Sequence, residues 1–390
     1  MGLLVFFPDK SADPLSFQLK FDERQETPVG INKLALPAEW HKQSGVQLTW
    51  PHEDTDWHDI LKEVTETYIS MAFAIASREQ LLIVAPDIEK VKKLIAQRLP
   101  ARMADNITYH QCATNDTWAR DHGFLTLISE QGRHLLDFKF NGWGEKFPAQ
   151  KDNAINKSLF DSGLLDGSYE NHLDFVLEGG SIESDGKGTI FTTSGCLLAP
   201  HRNQPLNKLD IEAKLMHYFN ADRVLWIDHG NLVGDDTDGH IDTLVRIAPS
   251  DTLLYVGCND KDDEQYEELK AMEEQLATFR TTDDRPYRLL KLPMPDAIYD
   301  GDDRLPATYA NFLVINNAVL YPTYAQAYND EDARKIIQSA FPGYETIGID
   351  CRTLIKQHGA LHCCTMQYPS GSITTHSNNE NSKETWRISK

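Results

Sequence analysis

Four short segments of the 390-residue chain place reactive or charged side chains beside glycine, between apolar runs. TNDTWARDHG (114–123) brings Trp118, Arg120 and Asp121 into one turn. An aromatic face next to a carboxylate suits a flat cation, which stacks on the ring while its N–H groups bond the oxygens. LEGGSIESDGKG (177–188) ends an apolar run at Glu178, and Gly179 and Gly180 then let backbone approach a ligand closely. GDDTDGHIDTLVRIA (234–248) carries His240 and Asp242 two residues apart, where strand alternation would set an acid/base imidazole and a carboxylate on one face. KQHGALHCCTMQYP (356–369) places Gly359 just before Cys363 and Cys364.

Taken singly, each segment has an ordinary structural explanation. A lone Asp in a turn is more often a helix cap, Glu178 can mark a simple bulge, and a single cysteine is usually an inert core thiol. The D-x-D-G run resembles a calcium loop, but position twelve counted from Asp236 is Ile247 and no bidentate acid stands there. Taken together, one thiol, one histidine and three carboxylates admit two kinds of catalysis. A cysteine protease or acyltransferase needs Cys, His and one orienting Asp with an oxyanion hole, which leaves Glu178 and Asp121 idle. In guanidinium chemistry carboxylates clamp the cation, the thiolate attacks its central carbon and His protonates the departing ammonia, so all five groups have work. A cation-binding protein without catalysis is the alternative outside enzymology.

The elements that must position these groups follow from hydrophobic period. Helical segments are expected at 57–76, 87–99, near 149–165, at 209–221, 263–279 and 330–341. Strand-like runs are QLLIVAP, ITYHQCAT, FLTLIS, HLLDFKF, LDFVLEG, GTIFTTSGCLLA, VLWID, TLVRIA, LLYVGC and YETIGID, with a hairpin turning at Asn316-Asn317. Two or three short strands precede each helix about five times over, in units of roughly 50 to 65 residues without a linker, which is unlike a doubly wound sheet. The expectation is one α+β domain of repeated units around a centre, with an irregular arm at 1–35 and a polar tail at 369–390.

Apolar residues make up 41% and charged residues 25%, an ordinary globular composition that disfavours disorder, collagen and coiled coil. The formal charge of −21 repels nucleic acid and acidic membrane surfaces and draws in small cations. The six cysteines have neither the density nor the spacing of a disulfide scaffold or a zinc site, so no structural metal is expected. The apolar run in MGLLVFFPDK is too short for a secretory signal, and no stretch reaches the ~18 apolar residues of a membrane span. A cytoplasmic protein is expected, with a homodimer left open.

The chain also resembles the agmatine deiminase and bacterial-type peptidylarginine deiminase family of guanidino-modifying enzymes, from about Leu36 to Tyr368. The motifs that carry the likeness are LPAEWHKQSGVQLTWPH (36–52), TNDTWARDHG, FNGWGEKF (140–147), LEGGSIESDGKGT, GHID (239–242), TYANF (308–312) and GALHCCTMQ (359–367). The resemblance implies a pentein fold, a β/α propeller of five pseudo-symmetric units around a central pocket. It implies Cys363 as nucleophile, with Cys364 as its buried neighbour, and His240 as acid/base. Asp121 and Asp242 would hold the guanidinium, Glu178 would be a further such carboxylate, and Trp118, Asn311 and Gly359 would line the substrate site. No metal or organic cofactor is implied, and the implied partner is a small cationic guanidino substrate: agmatine first, arginine in a peptide second. The chain departs from the family pattern at Gln357-His358-Gly359-Ala360, which replaces a glycine-rich GGGN segment, and at Phe124, which replaces a proline.

Overall fold

The computed structural model describes residues 33–374. One sheet pattern occurs five times among them: an antiparallel pair whose second strand crosses over through a helix to a parallel third strand. Leu125–Ser129, Gly132–Lys139 and Ser168–Val176 make the first such sheet, with helix Asn153–Asp161 in the crossover. Ile182–Ser184, Thr189–Thr193 and Arg223–Ile227 make the second, around helix Lys208–Tyr218. Val245–Ala248, Thr252–Val256 and Arg288–Leu292 make the third, around helix Tyr266–Thr278. Leu313–Ile315, Ala318–Thr323 and Glu345–Asp350 make the fourth, around helix Ala327–Ala340.

The fifth sheet joins the two ends of the described chain. Thr365–Pro369 pairs antiparallel with Gln43–Thr49, which runs parallel to Gln80–Ala85 across helix Leu61–Ala76. Ile107–Gln111 extends this sheet through helix Ile88–Arg98. Gln80–Ala85 is paired in parallel on both sides, and its QLLIVA is accordingly apolar and buried at every position but the first. Helix Tyr266–Thr278 buries Leu269, Met272 and Leu276, spaced three and four apart, while Tyr266 and Phe279 of the expected apolar face are only partly covered. The Asn316-Asn317 hairpin forms as expected, with Asn317 taking the left-handed φ of 62°.

The motif segments occupy equivalent places in this plan. Residues 114–124, 177–181, 239–243, 308–312 and 359–364 each immediately precede the first strand of one sheet. Each of those first strands lies at the edge of its sheet and pairs with one neighbour, and loops held on such a scaffold are where function concentrates. Most of the 1–35 arm and the end of the 369–390 tail lie outside the described residues. The start of the tail is docked, since Ser370 N–H donates to Lys42 O at 2.8 Å and Thr374 N–H to Leu164 O at 3.0 Å. Among the described residues no helix is long and apolar enough to cross a membrane.

Candidate active site

A cavity of about 250 Å³ is lined by Trp118, Asp121, Trp143, Phe147, Gly359 and Cys363, with Asp56, Asp116 and Asp236 among its remaining wall residues. His240, Asp242, Glu178 and Asn311 are fully buried behind that lining. The eight residues singled out in the sequence therefore converge from five segments, four on the cavity wall and four in the shell that supports it.

Cys363 and Cys364 part company at this point. Cys363 reaches the cavity, whereas Cys364 is fully buried beside the Tyr68 hydroxyl, and burial pushes its thiol up to about 12. Asn311 Nδ2 stands 3.3 Å from the Cys363 sulfur, and Asn311 Oδ1 accepts the His362 backbone N–H at 2.9 Å. Asp242 Oδ2 is 3.9 Å from the same sulfur. Burial, then the negative charges of Asp242 and Asp121, hold the Cys363 thiol well above its ordinary range. Both effects favour the protonated thiol.

Asp121 is the best-connected carboxylate on the cavity wall. Its Oδ1 accepts the Gly180 backbone N–H at 3.0 Å and lies 3.6 Å from His240 Nδ1, while its Oδ2 accepts the Trp143 indole N–H at 3.0 Å. Trp143 can reach it because its backbone takes the left-handed conformation, φ 56°, between Gly142 at 67° and Gly144 at 87°. A bulky residue in that region is strained, and such strain persists where the fold over-determines it. Burial raises the Asp121 carboxyl to about 6 against the opposing pull of His240. Burial lowers the affinity of His240 for its proton, but Asp121, Cys196 and Glu178 outweigh it and hold the imidazolium well above the usual range. Neither His240 nitrogen has a hydrogen-bond partner among the described residues.

Trp118 stands between two other indoles, with ring centroids 5.6 Å from Trp57 and 6.3 Å from Trp143. Its role and that of Gly359 are one, because a Cβ at 359 would stand 2.0 Å from the Trp118 ring. Glycine there makes room for the indole. Gly180 works similarly: an added Cβ would meet His240 Nδ1 at 2.6 Å, Asp121 Oδ1 at 2.9 Å and Asp242 Oδ2 at 3.1 Å. The close approach at the 179–180 pair, expected to be to a ligand, is at Gly180 to the side chains of His240, Asp121 and Asp242.

The expected strand alternation at 240–242 is not what aligns His240 with Asp242. Ile241–Thr243 is a 3-10 turn and the strand begins at Val245. The acid-rich run before it builds the turn, with Asp235 accepting from Thr237 Oγ1 at 2.6 Å and Gly239 N–H at 2.7 Å. Periodicity missed this because Asx turns compete locally with strand pairing. Sequence reasoning also passed over Arg202, whose Nε lies 2.7 Å from Glu178 Oε1 with both side chains fully buried. No period or glycine flags an isolated arginine, so burial alone shows it. Glu178, Cys196 and His240 offer donor atoms within 4.8 Å of one another, a metal-like grouping, but Arg202 already provides Glu178 with a positive partner.

Residues 35–369 match the family model described as Porphyromonas-type peptidyl-arginine deiminase. The structure superposes on a Porphyromonas gingivalis protein provisionally named an arginine deiminase with a TM-score of 0.83 and 48% identity, covering 88% of this chain and 100% of that one. It superposes on a Cys→Ser variant of the C. jejuni agmatine deiminase with substrate bound at a TM-score of 0.80 and 36% identity, covering 87% and 97%. A Marinomonas protein provisionally named an agmatine deiminase is 32% identical over 364 residues, 87% of this chain and 95% of the relative.

Proposed function

The chain belongs to the Porphyromonas-type peptidyl-arginine deiminase family, and from that membership we propose that it is an agmatine deiminase, a hydrolase of the guanidino C–N bond working through Cys363. The observation that carries this is the charge inventory of one small cavity: a thiol at its floor beside Asp121 and Asp242, and further carboxylates from Asp56, Asp116 and Asp236 around its walls. Agmatine has a cation at each end, so both ends find negative charge.

The chemistry starts with the guanidinium between Asp121 and Asp242, its plane along Trp118. Its positive charge offsets the carboxylates that hold the thiol protonated, so substrate binding itself favours loss of the thiol proton to solvent and leaves the thiolate. Sulfur bonds to the guanidinium carbon and gives a tetrahedral adduct. His240 donates its proton to the departing nitrogen, and the C–N bond breaks to release ammonia and leave an S-linked amidino group. Neutral His240 then takes a proton from water, whose oxygen bonds to the same carbon, and the C–S bond breaks to restore the thiol and release N-carbamoylputrescine. Glu178, neutralised in part by Arg202, supports the His240 charge from behind. Asn311 orients the sulfur.

The five sheets act as units of a closed pentein propeller about this cavity, a view supported by the repeated sheet pattern, by the pairing of Thr365–Pro369 with Gln43–Thr49 and by the five equivalent motif segments. Residues 36–368 form that single domain. Peptidylarginine is the second substrate reading, favoured by the family description itself. Ammonia release from purified protein given agmatine, free arginine and a blocked arginine peptide, with Cys363→Ala as control, separates them. Turnover of agmatine alone is expected; turnover of the peptide would move the activity to protein modification, and ammonia from none would refute deimination.

A further inference from the structure

The LPAEW motif contributes a partly buried acid, Glu39, that deimination as described leaves without a role. Its Oε2 lies 3.0 Å from His362 Nε2, and its Oε1 accepts the Val314 backbone N–H at 2.7 Å. On the other edge of the His362 ring, Nδ1 is 2.7 Å from Asp242 Oδ2, the oxygen that faces the Cys363 sulfur. An ionised carboxylate only accepts, so this contact requires a proton on Nδ1. Burial would raise the Asp242 carboxyl, but the hydrogen bond and charge of His362 hold it below its ordinary value. The remaining oxygen, Asp242 Oδ1, is buried and has no partner among the described residues.

The network continues inward. Arg246 bonds both Glu39 and Glu183, and its Nη2 is 3.2 Å from His362 Nε2. Its guanidinium also lies over the Phe312 ring, 4.5 Å from the centroid. Arg120 closes the remaining side, with Nε 3.5 Å from His362 O. His362 is itself pinned through its backbone N–H to Asn311 and its carbonyl to Thr365. Burying this many charges is costly relative to packed apolar side chains, so stability alone is a poor reason to keep them. The network ends on Asp242 Oδ2, 3.9 Å from the Cys363 sulfur.

We propose that His362 is a positioning residue for the reaction: its Nδ1–H ties down one oxygen of Asp242 so that the other is presented to the guanidinium, and Glu39 with Arg246 holds the ring at that angle. This rests on the deiminase reading above, in which Asp242 receives the substrate cation. The sequence neighbour of the nucleophile thereby couples the Asp242 segment to the LPAEW segment.

Two substitutions separate positioning from core filling. In His362→Asn the amide nitrogen falls near the place of Nδ1 and still donates to Asp242, whereas in His362→Gln it falls near Nε2 and reaches Glu39 instead. With agmatine, His362→Gln is expected to lose roughly 10- to 100-fold in kcat/KM, the scale of a charge-assisted hydrogen bond, and His362→Asn to recover most of that loss at a similar melting temperature. Equal losses in the two, or losses that follow the fall in melting temperature, would overturn the proposal. A second measurement needs no turnover: in the Cys363→Ala background, calorimetric titration with agmatine and with guanidinium ion should show weaker binding for His362→Gln than for His362→Asn. Binding without turnover by the parent would refute the substrate assignment while this comparison still decides the role of His362. Binding of neither ligand by the Cys363→Ala parent would overturn both.

Discussion

Asp121 and His240, both buried, face each other across 3.6 Å, and each alters how the other holds its proton. Burial lifts the Asp121 carboxyl to about 6, and the Asp121 charge lifts His240 above the usual imidazole range. The two therefore titrate as a pair, and any kinetic pKa belongs to both. Both shifts are upward, so the ion pair is intact only above the carboxyl value and below the imidazole value. The kcat/KM profile for agmatine should fall on acidification through about pH 6, two units above a free carboxylate. A limb near pH 4 would show that Asp121 ionises normally and is not paired in this way.

Gly180 supplies the space in which that pair meets Asp242. A methyl group there would press on all three side chains at once, at 2.6 to 3.1 Å. Gly180→Ala should fold and yet lose activity by on the order of 10²-fold, since displacement of about 1 Å at reacting groups costs that much. Circular dichroism and the ammonia assay, run on the same preparation, check it; a variant within a few-fold of the parent would mean that the pocket relaxes around the methyl group.

How far the site was legible in the sequence depended on whether a residue's signal was local. The Gly359 and Cys363 segment, Glu178 before its glycine pair and Trp118 with Asp121 all break an apolar period abruptly, which is visible without a fold. The elements were legible for the same reason, as at the Asn316-Asn317 hairpin. The position of His240 relative to Asp242 was not, because hydrogen bonds from Thr237 Oγ1 and Gly239 N–H to the Asp235 side chain, and from His240 N–H to Thr237 Oγ1, hold a turn where a strand was expected. Glu39, Arg202 and Arg246 were missed as pocket support because their partners are far away in the chain: 207 residues separate Glu39 from Arg246. A burial pattern that depends on five segments meeting cannot be read from any one of them.

The resting state of Cys363 gives a further test. Burial and two carboxylates hold the thiol well above its ordinary value, so iodoacetamide should alkylate it slowly at pH 7 to 8, with the rate rising only in alkaline solution. Peptide mapping distinguishes its adduct from those of the other five cysteines. Fast alkylation at neutral pH would mean that the thiolate is preformed, and substrate would then have no part in generating it.

Cys364 should behave as its burial requires. Cys364→Ala removes a core sulfur beside Tyr68 and is expected to cost about 1–2 kcal/mol of stability with activity within a few-fold of the parent. Cys363→Ala should abolish ammonia release with little change in the denaturation midpoint. The reverse pattern would reassign the nucleophile.

Arg202 is where stability and chemistry separate most cleanly. Its Nε meets Glu178 Oε1, its Nη1 meets Asp238 Oδ2 at 2.8 Å and its Nη2 donates to Thr237 O at 3.0 Å, so it staples the Glu178 segment to the turn that carries His240. Arg202→Met keeps the stem volume and leaves the Glu178 carboxylate in the interior without its countercharge, a situation that typically costs about 3–5 kcal/mol. Glu178→Gln removes the charge instead and leaves a neutral amide within reach of Arg202. It should unfold at a urea concentration closer to the parent while losing more kcat, since His240 then lacks one of the charges that hold its proton. Equilibrium urea denaturation with the ammonia assay on both variants reads the two effects apart. An Arg202→Met variant as stable as the parent would show that the pair contributes nothing to stability.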